Sequence, residues 1–125
     1  MSAATILVVD DSPSIRQTIT GVLRSAGYQI LEAVDGQDAL DRLGDTKESI
    51  ALAMVDINMP RLDGISLVRA LRQAENSRYI PILILTAETR RERREEARKA
   101  GATGWIVKPF TAEEVLALVQ RLLRR

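Results

Sequence analysis

The sequence predicts an α/β fold: five β–α units, (βα)5, forming a doubly wound five-stranded parallel sheet of order 2-1-3-4-5. Three observations predict it. Apolar runs recur five times without the in–out alternation of a strand that has one face in water, so each strand is covered on both faces. Amphipathic stretches at helical spacing separate these runs in strict alternation, the pattern of a parallel sheet between helices. Turn and cap residues (Ser12-Pro13, Asp35-Gly36, Pro60, Asp63-Gly64 and Gly101) fall between the runs.

Ile6–Val9 is a β-branched and leucine run closed by Asp10-Asp11. Ser12 then offers an N-cap and Pro13 the first helical residue. Ile15, Ile19, Val22, Leu23 and Ala26 follow at helical spacing, and Gly27 supplies the stop. Tyr28–Ala33 reads as the second strand and Ala39, Leu40 and Leu43 as a short second helix. Ile50–Val55, the longest apolar run at six residues, is cut off by Asp56. Ile65, Val68 and Leu71 mark the third helix, and Ile80–Leu85 the fourth strand, ending at Thr86. Thr89–Ala100 is a charged helix stopped by Gly101. Trp105–Val107 is the fifth strand, ending at Lys108-Pro109. Thr111 caps the last helix, with Glu114 as its capping-box partner and Val115, Leu118, Val119 and Leu122 on the inner face.

With 125 residues and 46% apolar content, residues 1–125 read as one globular domain. The chain has no cysteine and no histidine. Disulfides, thiolate metal sites, a Ser-His-Asp triad and a phosphohistidine of its own are thereby excluded. The apolar runs are too short to span a bilayer, and Met-Ser-Ala-Ala-Thr lacks the basic start of a signal peptide. A cytoplasmic location without a membrane partner is expected. The net charge of +1 favours no class of partner.

Four of the five strands end in polar residues of complementary kind: Asp10-Asp11, Asp56, Thr86 and Lys108. In a parallel sheet these ends share one edge, and ligands bind there where the strand order reverses, between the first and third strands. Three crowded carboxylates call for a hard cation, and Mg²⁺ fits best, since it takes one or two carboxylates together with phosphate oxygens. A lysine and a hydroxyl donor complete a phosphoryl-stabilising site. There is no P-loop and no G-x-G-x-x-G, so the phosphoryl group must come from a partner or a small donor. Asp56 is the carboxylate best placed to attack it. Taken singly, each residue has a plainer reading: Asp10, Asp11 and Ser12 as a helix start, Thr86 as a strand end, Lys108 as a solvated lysine. Their coincidence on one edge favours the site. A flavin-phosphate binder ranks lower, because Asp10-Asp11 occupies the place where such a protein needs phosphate donors.

Val8–Ser12 (V-V-D-D-S), Asp56–Gly64 (D-I-N-M-P-R-L-D-G), Leu85–Ala87 (L-T-A) and Gly101–Phe110 (G-A-T-G-W-I-V-K-P-F), in this order and spacing, carry a resemblance over essentially the whole chain. The chain resembles the CheY-like receiver domain of two-component response regulators. The resemblance implies that Asp56 is the phosphoacceptor. It implies that Asp11, Asp56 and the main-chain carbonyl of Asn58 ligate Mg²⁺, with Asp10 acting through metal-bound water. Thr86 and Lys108 would bind the phosphoryl oxygens, and Lys108–Pro109 would be a cis bond. Thr86 and Trp105 would form a switch pair, with Trp where Tyr or Phe is more usual; core packing is the other reading of Trp105. Asn58 and Glu88 would sit where the family sets the lifetime of the phosphoryl group.

The implied partners are a sensor histidine kinase or a histidine phosphotransfer protein, and a downstream target such as a flagellar motor switch protein. A monomer is expected, acting as a diffusible chemotaxis or motility messenger; a phosphorelay intermediate or phosphate sink is the alternative. The 125 residues include no output module, which argues against a DNA-binding transcription factor. The protein is expected to be a signalling protein rather than an enzyme, although it would assist its own phosphorylation and dephosphorylation.

Thr89–Ala100 offers only Ala97 and Ala100 to a core, which predicts a weakly held helix. Arg90, Arg94 and Arg98 recur along one face, with Glu95–Lys99 as a compensating pair. That face, with Trp105, reads either as solvated surface or as a docking surface for an acidic partner. Three glutamates on the helix argue against nucleic acid.

Overall fold

The central apolar runs, Thr5–Val9, Ile50–Asp56 and Ile82–Thr86, are covered by a helix layer on both sides, whereas Gln29–Ala33 and Gly104–Val107, at the edges of the sheet, are only partly covered, against the expectation for every strand. The computed structural model describes residues 4–46, 49–59, 61–87 and 90–123. Pro60, Glu88 and Thr89, which figured in the sequence reading, lie outside the described residues. In chain order the elements are β1 (Thr5–Val9), α1 (Pro13–Ser25), β2 (Gln29–Ala33), α2 (Gly36–Asp45) and β3 (Ile50–Asp56). They continue with α3 (Gly64–Gln73), β4 (Ile82–Thr86), α4 (Arg91–Ala100), β5 (Gly104–Val107) and α5 (Ala112–Leu123). The strands are parallel in the order β2-β1-β3-β4-β5, as the sequence predicts.

Successive strand residues supply opposite faces. Leu7, Val9, Val55 and Ile84 join Ala39, Leu43, Leu67, Val68, Leu71 and Ala97 in one core, under α2, α3 and α4. Ile6, Val8, Leu52, Met54, Leu83 and Leu85 join Ile19, Leu23, Val115 and Val119 in the other, under α1 and α5. This division explains the unbroken apolar runs of β1, β3 and β4: a polar residue on either face would enter a core.

The caps follow the sequence closely. Ser12, Asp35 and Asp63 accept hydrogen bonds from Ile15, Asp38 and Ser66 N–H. Thr111 and Glu114 form the reciprocal capping box, at 2.9 and 3.1 Å. The differences are local. Helix α1 stops at Ser25, with Gly27 in the turn at φ 98°. Strand β4 starts at Ile82 rather than Ile80, since Pro81 has no N–H for the ladder. Arg90, the N-cap of α4, makes no side-chain cap bond. The expected Glu95–Lys99 attraction is present, but the close ion pair is Glu95–Arg98 at 2.9 Å, where the planar fork reaches both carboxylate oxygens.

Arg72 joins the C-terminal ends of α3 and α4. Its Nε and Nη2 donate to Gly101 O at 3.0 and 2.7 Å, and its Nη1 to Arg78 O and Ile80 O at 3.0 and 2.7 Å. Gly101 (φ 118°) ends α4, and a Cβ there would strike the Arg72 stem.

Candidate functional site

Strands β1 and β3 run side by side with Val9 opposite Val55, so the next residue of each, Asp10 and Asp56, reaches the same edge. Asp10 is fully buried, and its backbone N–H donates to Ala33 O of β2 at 3.2 Å. Its Oδ1 accepts from Ser12 N–H at 2.8 Å. Asp56 is 5% exposed, and its Oδ1 accepts from Asn58 N–H at 3.2 Å. Asp11 and Asn58 are exposed at the rim. Behind Asp56, Gly64 starts α3 so closely that any Cβ would collide with the Asp56 carbonyl. A glycine is what lets α3 pack against this strand end.

The fourth and fifth strands bring the remaining groups. Thr86 lies opposite Val107, and Lys108 N–H donates to Thr86 O at 2.8 Å, so Lys108 and Thr86 leave the sheet together. The Lys108–Pro109 bond is cis. Lys108 Nζ lies 3.4 Å from Asp10 Oδ2 and 3.5 Å from Asp56 Oδ1. Asp10, Asp11 and Asp56 each offer one carboxylate oxygen within 4.8 Å of the others.

One ammonium does not compensate this many acids. Burial, and next the neighbouring Asp10 carboxylate, push the Asp56 carboxyl up from 3.8 to about 6, against the opposing pull of Lys108 and Asn58 N–H. The donor set is all oxygen, and the carboxylates lack sufficient positive charge. Both properties fit a hard divalent cation and argue against a soft one.

The predicted switch residues share a sheet face. Thr86 is 1% exposed, and Trp105, opposite Ile84, is two residues back from Val107 on the neighbouring strand. Trp105 is 37% exposed, which sets aside the core-packing reading. The Arg94 guanidinium lies 5.1 Å from the indole centroid. Arg94 Nε is buried without a hydrogen-bond partner among the described residues. Arg90, Arg94 and Arg98 therefore do not form a uniform basic stripe: Arg94 is committed to Trp105 and Arg98 to Glu95.

Two groups around the site escaped the sequence reading. Arg61, in left-handed backbone (φ 65°), makes a two-pronged ion pair with Asp35, at 2.8 and 2.9 Å. That guanidinium holds the Asp35 carboxyl below its usual range. On α1, Arg16 Nη1 donates to the Asp10 carbonyl at 2.6 Å. Its signal was available: Arg16 shares a helix stripe with the buried Ile19, Thr20 and Leu23, so a charge there must find a partner inside.

Residues 6–120 match the family model described as "Response regulator receiver domain". The chain belongs to this receiver family. It is 38% identical over 121 residues to the chemotaxis protein CheY of Pseudomonas aeruginosa, covering 96% of each chain. Among solved structures, the receiver superposes on chemotaxis response regulator CheY4 of Vibrio cholerae with TM-score 0.90 and 41% identity, over 98% of this chain and 100% of that one. It also matches the receiver domain of the sensor histidine kinase PA1611 of Pseudomonas aeruginosa, described with magnesium coordinated in its active-site cleft. There the TM-score is 0.85 and the identity 33%, over 97% and 98% of the two chains. Other curated relatives are longer, and the receiver spans about half of a 38% identical transcriptional regulatory protein (52%). Among the described residues no helix is long and apolar enough to cross a membrane.

Proposed function

We propose that this receiver takes a phosphoryl group onto Asp56 from the phosphohistidine of a partner kinase. A carboxylate oxygen of Asp56 attacks phosphorus, an O–P bond forms, and the P–N bond breaks with its electron pair returning to the imidazole. The observation that carries this reading is the grouping of Asp56 with Asp10, Asp11 and Lys108 Nζ, the last 3.5 Å from Asp56 Oδ1. Asp10, Asp11, Asp56 and the Asn58 main-chain carbonyl would hold Mg²⁺. When bound, the cation supplies charge neutralisation for the acids and the incoming phosphoryl oxygens. Lys108 and the Thr86 hydroxyl hold those oxygens. Burial keeps Asp56 poorly hydrated, which favours attack over solvation.

The response runs outward through Thr86 and Trp105 to the face formed by α4, β5 and α5, whose affinity for a protein partner changes as a shift between two populations. Likeness to CheY over nearly the whole of both chains favours a chemotaxis or motility target, such as a flagellar motor switch protein. Likeness to the receiver of PA1611 supports a second reading, in which the phosphoryl group passes on to a histidine phosphotransfer protein.

The test is incubation with acetyl phosphate and Mg²⁺, followed by intact-mass measurement. One phosphoryl group is expected on the wild type and none on Asp56→Asn; labelling that survives the substitution overturns the assignment. Adding a histidine phosphotransfer protein to the labelled receiver separates the two outputs, since only a relay returns the label to histidine quickly.

A further inference from the structure

We infer that Arg16 is a positioning residue for the carboxylate site, holding the plane of the Asp10–Asp11 peptide and so the spacing of two of its three acids. This rests on the reading of Asp10, Asp11 and Asp56 as a cation site.

The side chain of Arg16 is 16% exposed. Its Nη1 donates to Asp10 O at 2.6 Å, while its Nε lies 3.4 Å from Glu32 Oε1 on β2. Arg24 Nη2 holds the other Glu32 oxygen at 3.3 Å. A chain of charges thus runs Arg24–Glu32–Arg16 and ends on a backbone carbonyl between two candidate ligands. The peptide unit is planar, so fixing the Asp10 C=O also fixes the N–H of Asp11 and the direction in which Asp11 leaves the strand. On the other side, Asp10 N–H is held by Ala33 O. Asp10 is fully buried, so without Arg16 its carbonyl loses a donor that solvent does not readily replace. The peptide would then tilt toward another donor and carry the exposed Asp11 carboxylate away from Asp10 and Asp56. One oxygen of each acid lies within 4.8 Å of the others, and such a tilt would widen that spacing.

The guanidinium fork matters because it serves two acceptors at once. Glu32 orients Arg16 without touching the site. Arg24 is one step further away and reaches the site only through Glu32.

The test uses the full chain and two readouts. One is Mg²⁺ affinity by titration calorimetry; the other is the Asp11 amide resonance in ¹H–¹⁵N spectra recorded in EDTA. Arg16→Met keeps the stem and removes the donors; it should weaken Mg²⁺ binding roughly tenfold and move the Asp11 resonance, as loss of outer-shell support commonly does. Arg16→Lys, which keeps one donor, should recover most of both. Glu32→Gln should show a smaller loss, and Arg24→Met none. If Arg16→Met lowers the melting temperature but leaves Mg²⁺ affinity and the Asp11 resonance unmoved, Arg16 is a packing residue and the inference is overturned. If Arg16→Met does not fold, Glu32→Gln decides, and wild-type values in both readouts overturn the inference. A wild type that binds no Mg²⁺ defeats the proposed function instead, and the metal-free Asp11 resonance still judges Arg16.

Discussion

The two halves of the sheet are held very differently. Around β1 and β3, strands are buried along nearly their whole length, and α1, α2 and α3 each carry a side-chain cap. Helix α3 alone buries Ile65, Leu67, Val68 and Leu71. Around β5, only Ile106 of the strand is buried, α4 buries Ala97 alone, and its N-cap residue makes no side-chain cap hydrogen bond. The carboxylates stand on the first half, and Trp105 with Arg94 on the second. The proposed phosphoacceptor and cation ligands therefore occupy the part that resists deformation, with Lys108 reaching them from the end of β5. The response is assigned to the part whose rearrangement breaks the fewest contacts.

The largest effect should come from truncating the firm half. Leu67→Ala should cost about 2–5 kcal/mol by urea denaturation, because it leaves a cavity beneath α3. A cost below about 1 kcal/mol would mean that α3 is held no better than α4, and the contrast would fail.

Next comes the acid at the centre of the site. The folded-state pKa of Asp56, about 6, lies above its ordinary 3.8, so metal-free folded protein binds this proton more tightly than the unfolded chain does. The stability this gives is fully present below about pH 3.8, fades as pH rises to about 6, and is absent above. Asp56→Asn should therefore stabilise the protein in EDTA at pH 7 by about 2–3 kcal/mol, at about 1.4 kcal/mol per pH unit. The advantage should close toward pH 4, as read from thermal melts across that range. A pH-independent difference would show that Asp56 is as well solvated as a surface acid.

The smallest effect concerns the caps. Asp63→Ala should cost about 1 kcal/mol by removing the bond to Ser66 N–H. Hydrogen exchange should place the loss in the first turn of α3, with the amides of α4 exchanging faster than those of α3 before and after the change. Equal protection of the two helices in the wild type would erase the difference between the halves.

Much of this was legible in the sequence because it depends on local rules. A strand covered on both faces must be apolar throughout, so Ile6–Val9 and Ile50–Val55 announced themselves, and the polar residues closing such runs stood out. Asp10, Asp11, Asp56 and Lys108 come together as the parallel topology requires. What escaped were long side chains whose partners are backbone carbonyls or lie on other elements. Arg16 answers to a backbone carbonyl and to Glu32, and Arg72 to carbonyls on α4 and the approach to β4. The carbonyl partners leave no residue pattern, although the place of Arg16 on the buried stripe of α1 does signal the need for one. Arg94 looked like one third of a basic stripe and instead covers Trp105, because strand β5 beside it lacks the apolar cover of the others. Lys99 does favour the charged Glu95, as the spacing predicts, but the close contact goes to Arg98, because charge spacing alone does not weigh a two-pronged fork against a point charge.

The Arg72 tie has a geometric consequence for α4. With Gly101 O gripped by two nitrogens of one guanidinium, the tail of the helix is a fixed bearing, while its head has no side-chain cap hydrogen bond. A ten-residue helix is about 15 Å long, so a tilt of about 10° around that bearing sweeps the head through about 2.6 Å. The tail barely stirs. The head is also the end that the chain reaches soon after Thr86. Small displacements at the strand edge thus meet α4 at the end of its longest lever arm.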